Sequence, residues 1–351
     1  MTLQDLIKDV TTRDLTVFAR AVPTPDEWTL TTGDSPVFPA LKLQSTMWEI
    51  KDSGRYVNAA KFRAYDASAP LATREAWETT RKGGLPVISQ KLTVSEQEII
   101  LDEMQRGADA ERLVNNLYSD TERHAEATKG RIELAAADVL LDGKLTVNEN
   151  NFITEVDFGV PAENTPTAPK VWSDPTSDPI RDELAWLQYL EDVGSPEPEF
   201  ALTSRRVVNT WAGNNAYRAA YYNSVNPSNT PTSSLTPSQV NSVRVEYGLP
   251  PVRIYKGQVR VDGAWIKPIP DDRYIYVPPQ RQKWANVQWG LNADSIVLSS
   301  GKNPEIEKEE APGIVITRDV DSDPIRIWTK VNASAMPVLH DPRAHLVAKV
   351  L

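Results

Sequence analysis

Residues 108–142 read ADAERLVNNLYSDTERHAEATKGRIELAAADVLLD. No proline interrupts the stretch, Gly107 and Gly143 bound it, and Ala, Leu, Glu and Arg dominate its second half, so it is predicted to form one helix. Ala110, Leu113, Leu117, Thr121, Ala125, Thr128, Ile132, Ala135 and Val139 recur every three or four residues and line one face. At 1.5 Å per residue the helix is about 50 Å long, more than the diameter of most small domains. Beyond Leu117 the apolar stripe is narrow and largely alanine, which suits a backbone pressed against a sheet better than a thick helical core. The helix is a spine, and Gly130 lies inside it.

The chain around this spine has 351 residues, 40% of them hydrophobic, enough for two domains or for one domain with long excursions. Its 27 prolines fall between short apolar runs and imply many connections. There is no cysteine, which removes disulfides, thiolate metal sites and cysteine nucleophiles. A formal charge of -10 argues against broad attraction to nucleic acid, although a container for DNA tolerates an acidic wall. MTLQDLIKDV lacks the pattern of a secretory signal and no run reaches membrane-spanning length, so no membrane association is predicted.

Toward the N-terminus, residues 1–44 form an arm, with Leu3, Leu6, Ile7 and Val10 spaced for a short helix and Thr, Pro and Asp punctuating the remainder. Residues 45–91 are polar and β-like, a protruding two-stranded excursion with eight cations against five acids. Ser95 and Glu98 make a capping-box start for a short helix before the spine. After it, a strand is expected over 152–158, and Pro161 to Pro179 leads into a second, mixed α/β domain. That domain is predicted to hold helices over 178–193, 204–222 and 236–248, with strands at 200–203, 252–255, 258–261 and 274–277. Strands are predicted again at 296–298, 313–317, 325–329 and 345–351.

Chemistry-bearing motifs are sparse. His124, His340 and His345 form no ligand pair, and neither HExxH, GxGxxG, a P-loop nor GxSxG occurs, so no metal site, cofactor or catalytic residue is predicted. Asp271-Asp272 and the run Glu305, Glu307, Glu309 and Glu310 read as a turn and a solvated loop in preference to catalytic carboxylates. The ten tryptophans sit singly in β-like runs, as core anchors do. A carbohydrate-active enzyme using these acids and tryptophans is the alternative from another class.

Several blocks resemble the major capsid protein E family of tailed bacteriophages, the lambda-type coat proteins. They are Asn58 to Pro70 (NAAKFRAYDASAP), Leu85 to Lys91 (LPVISQK), Gly143 to Val147 leading to Val156-Asp157-Phe158-Gly159, Asp323 to Thr329 (DPIRIWT), and Met336 to Leu339 leading to Leu346-Val347-Ala348. The resemblance implies an α+β chain with the tailed-phage and herpesvirus major capsid fold. Its parts would be an N-terminal arm over 1–44, an extended β-loop over 45–91, and a peripheral domain over 92–165 with the spine helix at 108–142. An axial α/β domain over 166–294 and a return to the peripheral domain over 295–351 would complete it.

It further implies a major capsid protein, not an enzyme, that self-assembles as hexamers and pentamers into an icosahedral virion shell. The shell would enclose double-stranded DNA without sequence-specific binding, assemble in the host cytoplasm and expand on maturation. Separate scaffold, portal and decoration proteins would be its partners, and no long charged prelude to the arm suggests a fused scaffold. An encapsulin-like compartment is the alternative on the same fold. In that architecture the excursion lies on a neighbouring subunit, and residues 95–142 carry twelve acids against five cations. Arg55, Lys61 and Arg63 are therefore expected to guide docking by charge, or Phe62 and Tyr65 by apolar contact. Gly130 is expected either to bend the spine during shell rearrangement or to allow a close contact.

Overall fold

The computed structural model describes residues 10–53, 78–94, 110–149, 152–223, 231–300, 311–322 and 325–351. In chain order its elements are α1 (Thr12–Ala21), β1 (Ala40–Lys42), β2 (Met47–Ser53), β3 (Glu78–Gly84), β4 (Val87–Val94), the spine α2 (Ala110–Asp142), β5 (Lys144–Glu149) and β6 (Phe152–Asp157). There follow α3 (Pro179–Asp192), β7 (Phe200–Thr203), α4 (Arg205–Gly213), α5 (Asn215–Tyr221), α6 (Pro237–Glu246), β8 (Val252–Ile254), β9 (Val259–Val261), β10 (Ala264–Ile266) and β11 (Arg273–Val277). The last are α7 (Arg281–Trp284), β12 (Ala285–Gly290), α8 (Ala293–Ser299), β13 (Val315–Ser322), β14 (Ile325–Leu339) and β15 (Leu346–Lys349).

The spine ends where glycine permits a left-handed residue: Gly143 has φ 72° and its N–H returns to the Val139 carbonyl. Of the stripe that the sequence predicts, Leu117, Thr121, Ala125, Thr128, Ile132 and Val139 are buried, whereas Ala135 is half-buried and Ala136 takes the buried place beside it; the burial of Ala110 and Leu113 lies outside what the structure describes. Thr121 and Thr128 satisfy their hydroxyls on the carbonyls of Leu117 and His124, so neither brings an unpaired group into the contact. The stripe lies on β14, the longest strand, which pairs with β13, β4 and β12 in a five-stranded sheet completed by β1. Along β14, Ile327, Thr329, Val331 and Ala333 are buried while Trp328, Lys330 and Asn332 are half-buried, the alternation of a strand with one covered face. Helix α1 packs beside the spine, its Leu15 and Ala19 sharing a core with Ala125, Ile316 and Val331.

A second sheet, β15-β11-β7-β8, is buried on both faces along its inner strands β11 and β7. Phe200, Leu202, Ile275, Val277 and Val347 join the core beneath the spine's C-terminal half. Ala201, Tyr274, Tyr276, Leu346 and Ala348 face α3, α4 and α6 and their tryptophans. Successive residues thus serve two cores, as strand geometry requires.

Several elements differ from the sequence reading. The arm contains α1, started by a Thr11/Asp14 capping box and held by packing on β13 and the spine, where the sequence suggests only punctuation. The predicted helix 204–222 is two helices, because Asn214 is extended and caps α5 by accepting from the N–H groups of Ala216 and Tyr217. The predicted strand 296–298 belongs to α8, which Asn292 and Ser295 start with a capping box while Ile296 and Val297 point outward. Strand β14 continues ten residues past the expected Thr329 to Leu339, since Ala333 to Leu339 gain their order from β4 and β12 and not from local propensity. The sheets also do not divide at 294/295. Residues 285–290 belong to the first sheet and 346–349 to the second.

Candidate assembly surfaces

The described root of the expected excursion joins the first core. β2 and β3 pair antiparallel from Met47↔Gly84 to Ser53↔Glu78. Trp48 and Ile50 are buried at the root, Trp48 lying 6.2 Å from the Phe158 ring, and Arg81 donates to the Phe158 carbonyl at 2.9 Å. Gly83 is required there, because a Cβ on it would sit 2.8 Å from the Trp48 indole nitrogen. Arg55, Lys61, Phe62, Arg63 and Tyr65 lie outside the described residues.

Gly130 faces the arm. A Cβ at this position would lie 2.9 Å from the Trp28 ring and 3.2 Å from Val259, and the indole is fixed by its N–H donating to the Gln258 carbonyl at 3.0 Å. One turn on, Glu133 is fully buried and accepts four hydrogen bonds: from the N–H groups of Leu30 and Thr31, the Thr31 hydroxyl and the Tyr255 hydroxyl, at 2.6–3.0 Å. Burial raises its carboxyl above the usual range, opposed by those donors. The Lys129 ammonium meets the Val22 carbonyl at 2.6 Å. Arm, spine and the segment after β8 are therefore clamped at one place.

A second buried carboxylate, Glu183, lies within the α3–α6 layer. Arg244 meets it bidentately at 2.6 and 2.9 Å, the hydroxyls of Tyr274 and Tyr276 donate to it, and the guanidinium stacks on Trp211 at 4.6 Å. Neither carboxylate stands in a cluster of metal-ligating residues, and no such cluster occurs among the described residues. Sequence reasoning missed both, since residues 103 and 61 positions from their partners leave no local pattern.

The acids weighed as catalytic are accounted for in part. Asp271 bonds Lys267 and Asp272 bonds Arg273 beside a turn, whereas the run 305–310 lies outside the described residues. Trp28, Trp48, Trp172, Trp186, Trp211 and Trp284 are buried core anchors, while Trp265 is 67% exposed on β10. The three histidines do not meet. His124 bonds Thr329 between spine and β14, His340 bonds Asn286, and His345 packs on Trp284. What the surface does carry is exposed apolar side chains: Phe152 and Ile153 on β6, Leu184 and Tyr247 beside an open cavity over α3 and α5, and Ile296 and Val297 on α8.

The described parts are thus a rooted pair of β-strands, an arm strapped to a long helix on a sheet, and a second α/β layer. The structure superposes over 99% of its length, and 96% of the other chain, on a protein designated as the capsid protein of a prophage in Escherichia coli CFT073, at 15% identity and a TM-score of 0.54. A phage-related protein from Bordetella bronchiseptica RB50 (12% identity, TM-score 0.48, 95% of each chain) and the capsid of Myoviridae phage XM1 (11%, 0.44, 88% of this chain and 86% of that one) are similar at greater distance. No curated protein matches this sequence.

The family model of phage major capsid protein E matches residues 11–350, and the chain belongs to that family. It is a phage major capsid protein, a structural component of the virion whose copies build its shell.

Proposed function

We propose that the chain assembles as hexamers and pentamers into an icosahedral shell that encloses double-stranded DNA without reading its sequence, and that the shell expands on maturation. The observation that supports this most is the family match over nearly the whole chain, 11–350. The excursion over 45–91 is the part that reaches neighbours, while the described arm residues 10–44 hold to their own spine and sheet. Residues 92–165 with 295–351 act as the peripheral region, and 166–294 as the axial one, allowing for the exchange of β12 and β15 between sheets. Separate scaffold, portal and decoration proteins assist assembly in the host cytoplasm, and no cofactor is needed.

Docking of the excursion is guided by Arg55, Lys61 and Arg63 against the acidic spine region of a neighbour, with Phe62 and Tyr65 adding apolar contact. Exposed pairs are worth only ~0–1 kcal/mol each, but the contact repeats across a shell, and it weakens as salt rises. Electron microscopy and nucleic-acid analysis of purified particles test the reading. Closed particles with six- and five-fold capsomers around DNA are expected, and DNA-free particles filled with protein cargo would instead favour a compartment. Replacing Arg55, Lys61 and Arg63 by glutamate is expected to stop particle formation and leave a folded subunit. Normal assembly of that variant across a salt series would assign the contact to Phe62 and Tyr65.

A further inference from the structure

We propose that Asp262-Gly263 is a site of self-modification, at which the chain slowly converts to isoaspartate without enzyme, oxidant or cofactor. The inference does not rest on the shell reading above. The pair forms the two-residue turn of the β9–β10 ribbon, whose register is Val261↔Ala264, Arg260↔Trp265 and Val259↔Ile266. Both turn residues have positive φ, 49° and 85°, as a two-residue hairpin favours. The ribbon is anchored at its root, where Val259 is buried beside Gly130 of the spine and Ile269 is buried after β10, while residues 262–267 are exposed. In the reaction the Gly263 backbone nitrogen bonds to Cγ of Asp262. The Cγ–O bond breaks and the hydroxyl leaves with the amide proton as water, closing a five-membered succinimide. Water then reopens the ring. Attack at Cγ restores aspartate, whereas attack at the main-chain carbonyl carbon leaves isoaspartate, its chain running through Cβ and Cγ. Nothing is oxidised or reduced, and the water lost is the water regained.

The sequence holds a second Asp-Gly pair, Asp142-Gly143, and no Asn-Gly pair, so the fold decides between two chemically alike sites. Ring closure is intramolecular and depends on whether nitrogen and carboxyl carbon are able to meet. At Gly143 they are held apart. Its N–H donates to the Val139 carbonyl at 3.0 Å, the Asp142 carboxylate accepts from the Lys144 N–H at 2.9 Å, and Val160 packs where a Cβ on Gly143 would stand. Burial raises the Asp142 carboxyl, which favours the neutral acid that ring closure needs, so geometry has to outweigh that advantage. At Gly263 nothing lies within 4 Å of an added Cβ, and no hydrogen bond holds its N–H among the described residues. Isoaspartate adds one atom to the main chain of a turn built for two residues, and a two-stranded ribbon of three pairs has little stability with which to absorb it. The pairing of β10 with β9 therefore loosens, and Trp265, 67% exposed on β10, changes its position.

The test uses the full chain without substitution, held folded for weeks in heavy-oxygen water at physiological temperature and mildly acidic pH. Trypsin then releases Val261–Lys267 and Ile132–Lys144, one peptide for each Asp-Gly pair. Isoaspartate is read as a second chromatographic form that carries heavy oxygen and resists an endoprotease cleaving before aspartate. It is expected to accumulate at least about tenfold faster in Val261–Lys267 than in Ile132–Lys144. In denaturant the two rates should converge. Asp262→Glu, which would have to close a six-membered ring, should stay unmodified. In hydrogen exchange the isoaspartate form of Val261–Lys267 should exchange faster than the aspartate form, with the spine unchanged. Equal rates at the two pairs in the folded chain, or no isoaspartate at 262, overturn the inference. A difference that persists in denaturant also overturns it, because local sequence and not the fold would then set the rate. Equal exchange by the two forms overturns the loosening of the ribbon.

Discussion

Glu133 and Glu183 are both fully buried carboxylates on helices, yet they are satisfied in opposite ways. Glu183 has a guanidinium partner, and every group it touches belongs to the α3–α6 layer or to β11 beneath it. Glu133 is held by neutral donors from the arm and from Tyr255, segments that are far apart in sequence and meet only at the spine. The ion pair fixes the interior of one layer, whereas the neutral clamp joins separate parts of the molecule. A buried pair is costly to break and gives little back, while burial without a counter-charge raises the Glu133 carboxyl.

The sharpest way to break this contrast is Arg244→Met, which strands the Glu183 charge in the core. A loss of about 3–5 kcal/mol is expected in denaturant unfolding, with part of it recovered when Glu183→Leu is added. Near-wild-type stability of the single variant would mean that the tyrosines alone satisfy the carboxylate.

Acid separates the two regions from the histidines between and beside them. Burial pushes His345 down from 6.5 to about 4, so below 6.5 the unfolded chain takes up a proton that the folded chain refuses. Stability is therefore expected to fall, by on the order of 3 kcal/mol, as pH drops from 6.5 toward 4, with His124 and His340 acting in the same direction. Glu133 opposes this: its raised folded value makes stability fall as pH rises through the range just above 4.5. Thermal melts of His345→Phe across this window should show a shallower acid loss than the parent, and parallel curves would remove His345 as the cause.

A smaller effect is expected from Glu133→Gln, about 2 kcal/mol, because one carboxylate oxygen facing N–H and O–H donors becomes an amide that donates. Faster proteolysis of the arm than of the α3–α6 layer should accompany it. A uniform change across both regions would contradict the clamp. Gly130→Ala is expected to be mildest. A gain of about 1 kcal/mol in helix propensity opposes ~1–3 kcal/mol of overpacking against the fixed Trp28 ring, leaving a net loss near 1 kcal/mol. Recovery by Trp28→Phe would support the close-contact reading, while altered expansion kinetics at unchanged stability would support bending.

How much was legible depended on where the information sits. The spine, its stop at Gly143, the starts of α3 and α6 at Asp178 and Thr236 and the excursion's two strands are written in local periodicity and caps. The resemblance in residues 58–70, 85–91 and 323–329 points to a capsid subunit from sequence alone. Helix α1 escaped because its apolar stripe is short and amid turn residues, and α8 because Ile296-Val297-Leu298 reads equally as a strand until Asn292 caps it.

By itself, then, the sequence determined the elements with strong periodicity or caps, the absence of thiol and close-ligand chemistry, and the family. Tertiary structure alone decided that β15 pairs with β11 and β12 with β14, that Glu133 ties the arm to the spine, and that Glu183 meets Arg244. The physical reason is range. Helix caps and amphipathic stripes act over three or four residues, whereas these strand pairings and buried charges are settled by groups about forty to a hundred residues away, which no local pattern records.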